Sequence, residues 1–120
     1  MKINTVDLTN IELLPWGTIS DLGAKTIEGD CLIGGAIVYG APDTAVCCAY
    51  FSCTKGKFEM EFPFHEHAIV VEGEVTLTLL DTGEEKTYKK GEAWFFEKGT
   101  KLKWVIHSER FIKHYLSVAE

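Results

Sequence analysis

FEMEFPFHEHAIVVEGEV, residues 58–75, can be laid out in two ways, and the choice decides what the fold holds inside it. Side chains alternate faces along an extended strand, so Phe58, Met60 and Phe62 share one face while Glu59 and Glu61 share the other. The apolar set belongs on the buried face, because unpaired carboxylates are costly to remove from water. Two histidines follow, His65 and His67, separated by Glu66, and they raise the question of whether the pair grips a metal ion.

The same period-two alternation recurs on both sides of this stretch. AVCCAYFSC (45–53), KFEMEF (57–62), EVTLTLL (74–80), EKTYKK (85–90), KLKWVI (101–106) and RFIKHYLSV (110–118) each read as a strand with one buried face, and GGAIVY (34–39) as another. Turn residues punctuate them at Gly40-Ala41-Pro42-Asp43, Lys55-Gly56, Glu72-Gly73, Asp81-Thr82-Gly83, Lys90-Gly91 and Lys98-Gly99. About ten short strands with regular turns predict an all-β sandwich or barrel with little helix. Only DLTNIELL (7–14) reads as a short helix, capped by Asp7 and stopped by Pro15.

A chain of 120 residues makes one domain, with residues 1–44 as N-terminal strands or an arm and 45–120 as the barrel core. A net charge of −6, with lysines interleaved among acids, leaves no basic patch for a phosphate backbone, so nucleic acid is not an expected partner. No apolar run approaches a membrane span and the N-terminus lacks a hydrophobic leader core, which points to a cytoplasmic protein. Cys31, Cys47, Cys48 and Cys53 have no C-x-x-C spacing and are expected as reduced, buried thiols.

FEMEFPFHEHAIVVEGEVTL, then KKGEAWFFEKGTKLKW, then KHY, resembles the cupin superfamily over about residues 50–116. Within it the chain is most similar to small single-domain cupins grouped with ethanolamine-utilisation proteins and ureidoglycine aminohydrolase barrels (the DUF861, or Cupin_3, group). The resemblance implies a double-stranded β-helix, or jelly-roll, barrel whose interior holds a ligand or a metal. The superfamily's second motif, Gly-x5-Pro-x-Gly-x2-His-x3-Asn, runs here through Gly91, Glu97, Gly99, Leu102 and Ile106, so its metal-binding histidine is replaced by leucine.

The first motif, Gly-x5-His-x-His-x(3,4)-Glu-x6-Gly, fits in two registers. With His65 and His67 as the ligands, Glu72 follows correctly but the closing glycine falls on Leu79, and a turn is required inside the β-branched run AIVV. With Glu66 as the motif glutamate, Gly73 closes it and the histidine positions fall on Met60 and Phe62. Strand parity favours the second register, since KLKWVI likewise places Leu102, Trp104 and Ile106 inside and Lys101 and Lys103 outside. His65 and His67 then point out of the barrel.

The expected interior is therefore Met60, Phe62, Leu102 and Trp104 as ligand-binding residues around Glu66. A carboxyl in so apolar a pocket has its pKa raised, which suits a general acid or base; alternatively it is satisfied by a buried lysine, a tyrosine or a backbone N–H. Lys113 and Tyr115, in the terminal Lys-His-Tyr, resemble the Lys-aromatic pair that ends these small cupins, and one or the other faces Glu66 if the last strand returns beside it, the alternative for Lys113 being the outer face, solvated or at an interface. Tyr50, Tyr88 and Trp94 sit in strand runs and read as core rather than binding surface.

Three functions follow as expectations. The first is a cofactor-free cupin binding a small polar metabolite, with isomerase, epimerase or lyase chemistry at Glu66. The second is a metalloenzyme holding manganese, iron, zinc or nickel through His65, His67 and Glu72. The third is a non-catalytic ligand sensor or accessory of an ethanolamine-type catabolic pathway. Extra N-terminal strands cover sheet edges when exchanged between subunits, so a homodimer is expected.

Overall fold

The structure is a computed structural model and describes residue 3 and residues 5–120. Nine strands account for nearly all of its regular structure: β1 (Leu14–Thr18), β2 (Lys25–Glu28), β3 (Leu32–Tyr39), β4 (Val46–Glu61), β5 (His65–Glu72), β6 (Glu74–Leu79), β7 (Glu85–Lys89), β8 (Ala93–Phe96) and β9 (Lys101–Val118). Among the described residues the one helical piece is a 3-10 turn at Ile19–Leu22.

Two of the strands organise the rest. β4 and β9 pair antiparallel along their whole length, from Val46 opposite Val118 to Glu61 opposite Lys101. Four runs that alternation marks as separate strands thus fuse into two long ones. Each long strand is bent at an irregularity where Thr54 pairs with Arg110 but Gly56 already pairs with Ile106. A Cβ on Gly56 would stand 2.5 Å from Cys31 Sγ and from the Glu28 carbonyl, so only glycine lets β4 pass there.

The bend folds the sheet into two layers. The first halves along β4 and the last along β9 join β1, β3, β5 and β8; the other halves join β2, β6 and β7. It also switches the inward parity. In β9 the inward buried set is Leu102, Trp104 and Ile106 before the bend and Phe111, Lys113, Tyr115 and Ser117 after it, while Ile112 is buried on the outer face. In β4 it is Cys47, Ala49, Phe51 and Cys53, then Phe58. The two layers close on an aromatic core in which Phe58 stacks on Trp104 at 5.3 Å between ring centroids and Trp94 meets Trp104 edge-on at 5.7 Å. Truncating a buried ring of this kind to alanine costs about 3–5 kcal/mol. The result is an all-β jelly roll.

Residues 7–14 form no helix. Asp7 accepts hydrogen bonds from the backbone N–H groups of Thr9 and Asn10, making a local turn, and the chain then runs extended into β1 with Pro15 opposite Gly34 inside that strand. The physical reason is burial: Val6, Ile11 and Leu13 lie over Tyr50, Val71 and Ile112 on the outer face of the first layer, while Glu12 stays exposed. That is a period-two pattern, and tertiary packing overrides the helical one. All four cysteines are free, and all but Cys48 are fully buried. No helix among the described residues is long and apolar enough to cross a membrane.

Candidate functional site

β5 lies between β8 and β9 in the first layer, with Glu66 opposite Phe96 on one side and Ser117 on the other. Its inward side chains are Glu66, Ala68 and Val70, all nearly or fully buried. On β9, Tyr115 stands opposite Ala68 and Lys113 opposite Val70. Lys113 and Tyr115 therefore share the inner face, two residues apart on one strand, and both face the interior that holds Glu66. The sequence offers them as alternatives, but equal parity admits both.

Lys113 leans along the barrel to meet Glu66, its Nζ donating to Oε1 at 2.7 Å and to Oε2 at 2.8 Å. The Trp94 indole donates to Oε2 at 3.0 Å. Glu66 is 1% exposed and Lys113 5%. Of the two settings open to this carboxyl from sequence, unpaired in an apolar pocket or satisfied by a buried lysine, the fold adopts the second and adds an indole donor at the other edge. The ammonium lies 5.0–5.8 Å from the ring centroids of Phe51, Phe62, Trp94, Trp104 and Tyr115, inside the range where cation–π attraction counts. Burial pushes the Lys113 ammonium below the ordinary lysine value, and Glu66 offsets part of that shift. Burial pushes the Tyr115 phenol above its ordinary value, so it stays protonated, with the Cys47 Sγ at 4.0 Å from its hydroxyl.

Glu66, Lys113 and Tyr115 open onto a cavity of about 200 Å3 whose other walls are apolar, including Met60, Phe62, Phe64 and Trp104. Of the four residues expected to bind ligand, Met60, Phe62 and Trp104 line this cavity. Leu102 does not: it is 1% exposed and opposite Leu79 and Met60 in the second layer, where it packs the core. Among the described residues, the indole N–H of buried Trp104 has no hydrogen-bond partner.

Part of the cavity lining comes from the N-terminal 44 residues, through Trp16, Ile19, Leu22 and Pro42. No motif marks these positions. Trp16 is seated by Gly35 of β3, where a Cβ would fall 2.0 Å from the indole ring. Trp94 lies in the buried core, as its strand run reads from sequence, and its indole is in addition a direct hydrogen-bond partner of Glu66.

His65, His67 and Glu72 are not brought together as a metal site. His65 Nδ1 accepts the Lys98 backbone N–H at 3.0 Å, and its ring stacks on Phe95 on the outer face. His67 is exposed. Glu72 is gripped by Arg110 through two hydrogen bonds of 2.7 and 2.9 Å, which hold its carboxyl below the usual range. Among the described residues, no three His, Cys, Asp or Glu side chains are grouped to hold a metal ion. This donor set does not fit a metal.

With this geometry in place, comparison with known proteins is informative. The family model for the EutQ-like cupin domain matches residues 40–115. No curated protein matches the chain by sequence. Among solved structures, the EutQ protein of Clostridium difficile superposes with a TM-score of 0.61 at 15% identity, over 75% of this chain and 71% of that one. A putative ethanolamine utilization protein Q from Salmonella typhimurium does so with a TM-score of 0.61 at 15% identity, over 90% and 94%. A protein of unknown function of the DUF861 family from Pseudomonas syringae pv. tomato gives a TM-score of 0.78 at 18% identity over 94% of this chain, which spans only 46% of that protein. At such identities the superpositions speak for the jelly roll alone, while the family model covers well over half of the sequence. The chain belongs to the EutQ-like cupin domain family.

Proposed function

We propose that this cupin binds a small uncharged organic molecule in its barrel, with an apolar body against the aromatic wall and a polar group at the Glu66–Lys113 pair, and that the pair moves a proton on it without a metal ion. The observation that carries the reading is the pair itself: two opposite charges, each at least nine-tenths buried, at the wall of an otherwise apolar cavity. Buried ion pairs add little net stability, and apolar replacements of the same size are often as stable, so such a pair beside a cavity calls for a functional account. Glu66 is the proton acceptor in this reading, Lys113 the donor, and Tyr115 a neutral hydrogen-bond donor to the ligand. The reaction classes that fit are isomerisation, epimerisation and elimination.

Cavity size narrows the ligand. An apolar cavity of roughly 150 Å3 accommodates benzene, so the space of about 200 Å3 suits a single ring with a few substituents. The wall is more apolar than the small polar metabolite expected from sequence requires.

The test is a thermal-shift and calorimetric screen of neutral one-ring compounds, since a ligand that binds only the folded state raises Tm by mass action. Binding is expected in the wild type and lost in Met60→Trp, which fills the cavity. Glu66→Gln, which keeps an acceptor for Lys113, is expected to bind ligand and lose turnover. Binding without product in the wild type would move the protein to the ligand-sensing or pathway-accessory reading. If no compound of this size binds, the barrel-ligand reading fails.

A further inference from the structure

We infer that Lys113 is a covalent nucleophile that forms a Schiff base with an uncharged carbonyl compound inside the barrel, Glu66 being its proton partner. This rests on the reading that the barrel admits a small uncharged ligand. Lys113 supplies the one amine on the cavity wall among the described residues, and its Nζ lies among five aromatic rings rather than in water.

An amine attacks a carbonyl only when unprotonated, and the structure holds the base that takes its proton. Two N–H···O contacts of 2.7 and 2.8 Å join the ammonium to Glu66. In water the charged pair wins. In a cavity dried by an apolar ligand, separated charges lose their solvation, and the neutral pair of amine and carboxylic acid gains ground. Burial already acts on Lys113 in that direction. Lysines desolvated in apolar pockets are activated as nucleophiles in this manner. The Trp94 indole holds Oε2 from the other side, so the carboxyl keeps its position while the proton shifts.

The step balances within the pair. Glu66 takes a proton from Lys113, and the free amine forms a C–N bond to the carbonyl carbon. Glu66 returns the proton to the carbonyl oxygen, takes one from the attached nitrogen, and delivers it to the hydroxyl. The C–O bond then breaks and one water leaves. Ammonium plus carbonyl has become iminium plus water, with one positive charge before and after and Glu66 again a carboxylate. The product is an iminium–carboxylate pair in the place of the ammonium–carboxylate pair that the cavity already accommodates. A carboxylate ligand would bring a third, unmatched charge into that space, which is why the substrate class is an uncharged aldehyde or ketone. An iminium also acidifies the neighbouring C–H, where the Glu66 carboxylate is the available base, so the same pair then carries isomerisation or elimination.

The experiment is reductive trapping. The protein is incubated with benzaldehyde or cyclohexanone and sodium cyanoborohydride, and alkylated lysines are located by peptide mass mapping. Lys113 is expected to be modified ahead of the exposed Lys90 and Lys98. Glu66→Gln should slow modification at Lys113 by about a hundredfold, the ordinary contribution of a positioned acid–base group, and leave Lys90 and Lys98 unaffected. Met60→Trp, which blocks the cavity without touching the pair, should abolish labelling of Lys113 alone. A probe that raises Tm yet leaves Lys113 unmodified overturns the nucleophile and leaves the barrel-ligand reading standing. A probe that neither binds nor modifies overturns both, and labelling of Lys113 undiminished in Met60→Trp places the reaction outside the cavity and sinks the inference.

Discussion

Lys113 Nζ touches both carboxylate oxygens of Glu66, at 2.7 and 2.8 Å, although Glu66 stands opposite Ser117 and Lys113 opposite Val70 in the pairing of β5 with β9. Two inward side chains reach along the barrel to form this contact, so among the described residues each depends on the other for its full counter-charge. Removing one should leave the other buried and unpaired, which typically costs 3–5 kcal/mol, about the range expected for Glu66→Leu or Lys113→Met in urea unfolding. The double variant should recover most of that loss, because no buried charge remains. Additive losses in the double variant would show that the pair is not an energetic unit.

The outward histidines give a second prediction. His67 is exposed in the single protomer, so His67→Ala should change the stability of the isolated protomer by no more than about 0.5 kcal/mol. Metal content by plasma mass spectrometry, after incubation with manganese, iron, zinc and nickel, should show no stoichiometric metal that depends on His67. One metal per chain, lost in His67→Ala, would restore the metalloenzyme reading and require His65 to give up the Lys98 N–H.

Buried thiols, together with the buried Tyr115 phenol, weaken the fold at alkaline pH. Burial pushes Cys53 from 9.0 up to about 12, and Cys31 and Cys47 are raised for the same reason. The folded chain thus keeps a proton that the unfolded chain gives up above pH 9.0. Stability from each such thiol is complete below pH 9.0 and falls as pH rises toward the folded value, with Cys53 spanning the window from 9.0 to about 12. The slope is at most about 1.4 kcal/mol per pH unit per thiol. Lys113 acts in the opposite sense, since its lowered value makes the folded state gain stability as pH rises toward 10.5. Comparing Cys53→Ala with wild type isolates the thiol: the variant should lose stability less steeply above pH 9, and parallel curves would show that Cys53 does not contribute.

Phe58, Met60 and Phe62, with Leu102 and Trp104, were legible because each set lies in an unbroken alternation where one face is wholly apolar, whereas the inward setting of Glu66 came from the motif register that closes on Gly73. The outward setting of His65 and His67 followed from the same parity. Alternation is a local signal, and it stops at irregularities. It could not reveal that Gly56 bends β4 and switches the inward set from odd to even residues, or that two predicted strands are one. The N-terminal part of the cavity lining was hidden for another reason: Trp16 is seated there only because Gly35, some twenty residues on, lacks a side chain. Trp94 was hidden in the short run AWFF, where nothing local distinguishes a core indole from one that donates to a buried carboxylate.

The final prediction concerns the outer face of the first layer, where one row of paired residues crosses five strands. Phe95 of β8 stands opposite His67 of β5, His67 opposite Leu116 of β9, and Leu116 opposite Cys48 of β4. Beyond it Tyr39 of β3 stands opposite Cys48. Phe95, Leu116 and Tyr39 are 59%, 45% and 67% exposed, an unusual concentration of apolar surface. The neighbouring part of the same face, around Tyr50, Val71 and Ile112, is covered by the chain's own Val6, Ile11 and Leu13. A second copy laid across the bare row would cover it in the same way, through an isologous contact that also buries His65 and His67. On this basis the protein should sediment as a homodimer, and Phe95→Lys with Leu116→Lys should shift it to monomer without loss of strand signal in circular dichroism. The row faces away from the cavity, so ligand binding should survive the change. A wild-type monomer at all concentrations would leave these residues as unpartnered surface, and a dimer insensitive to both lysines would move the interface to another edge.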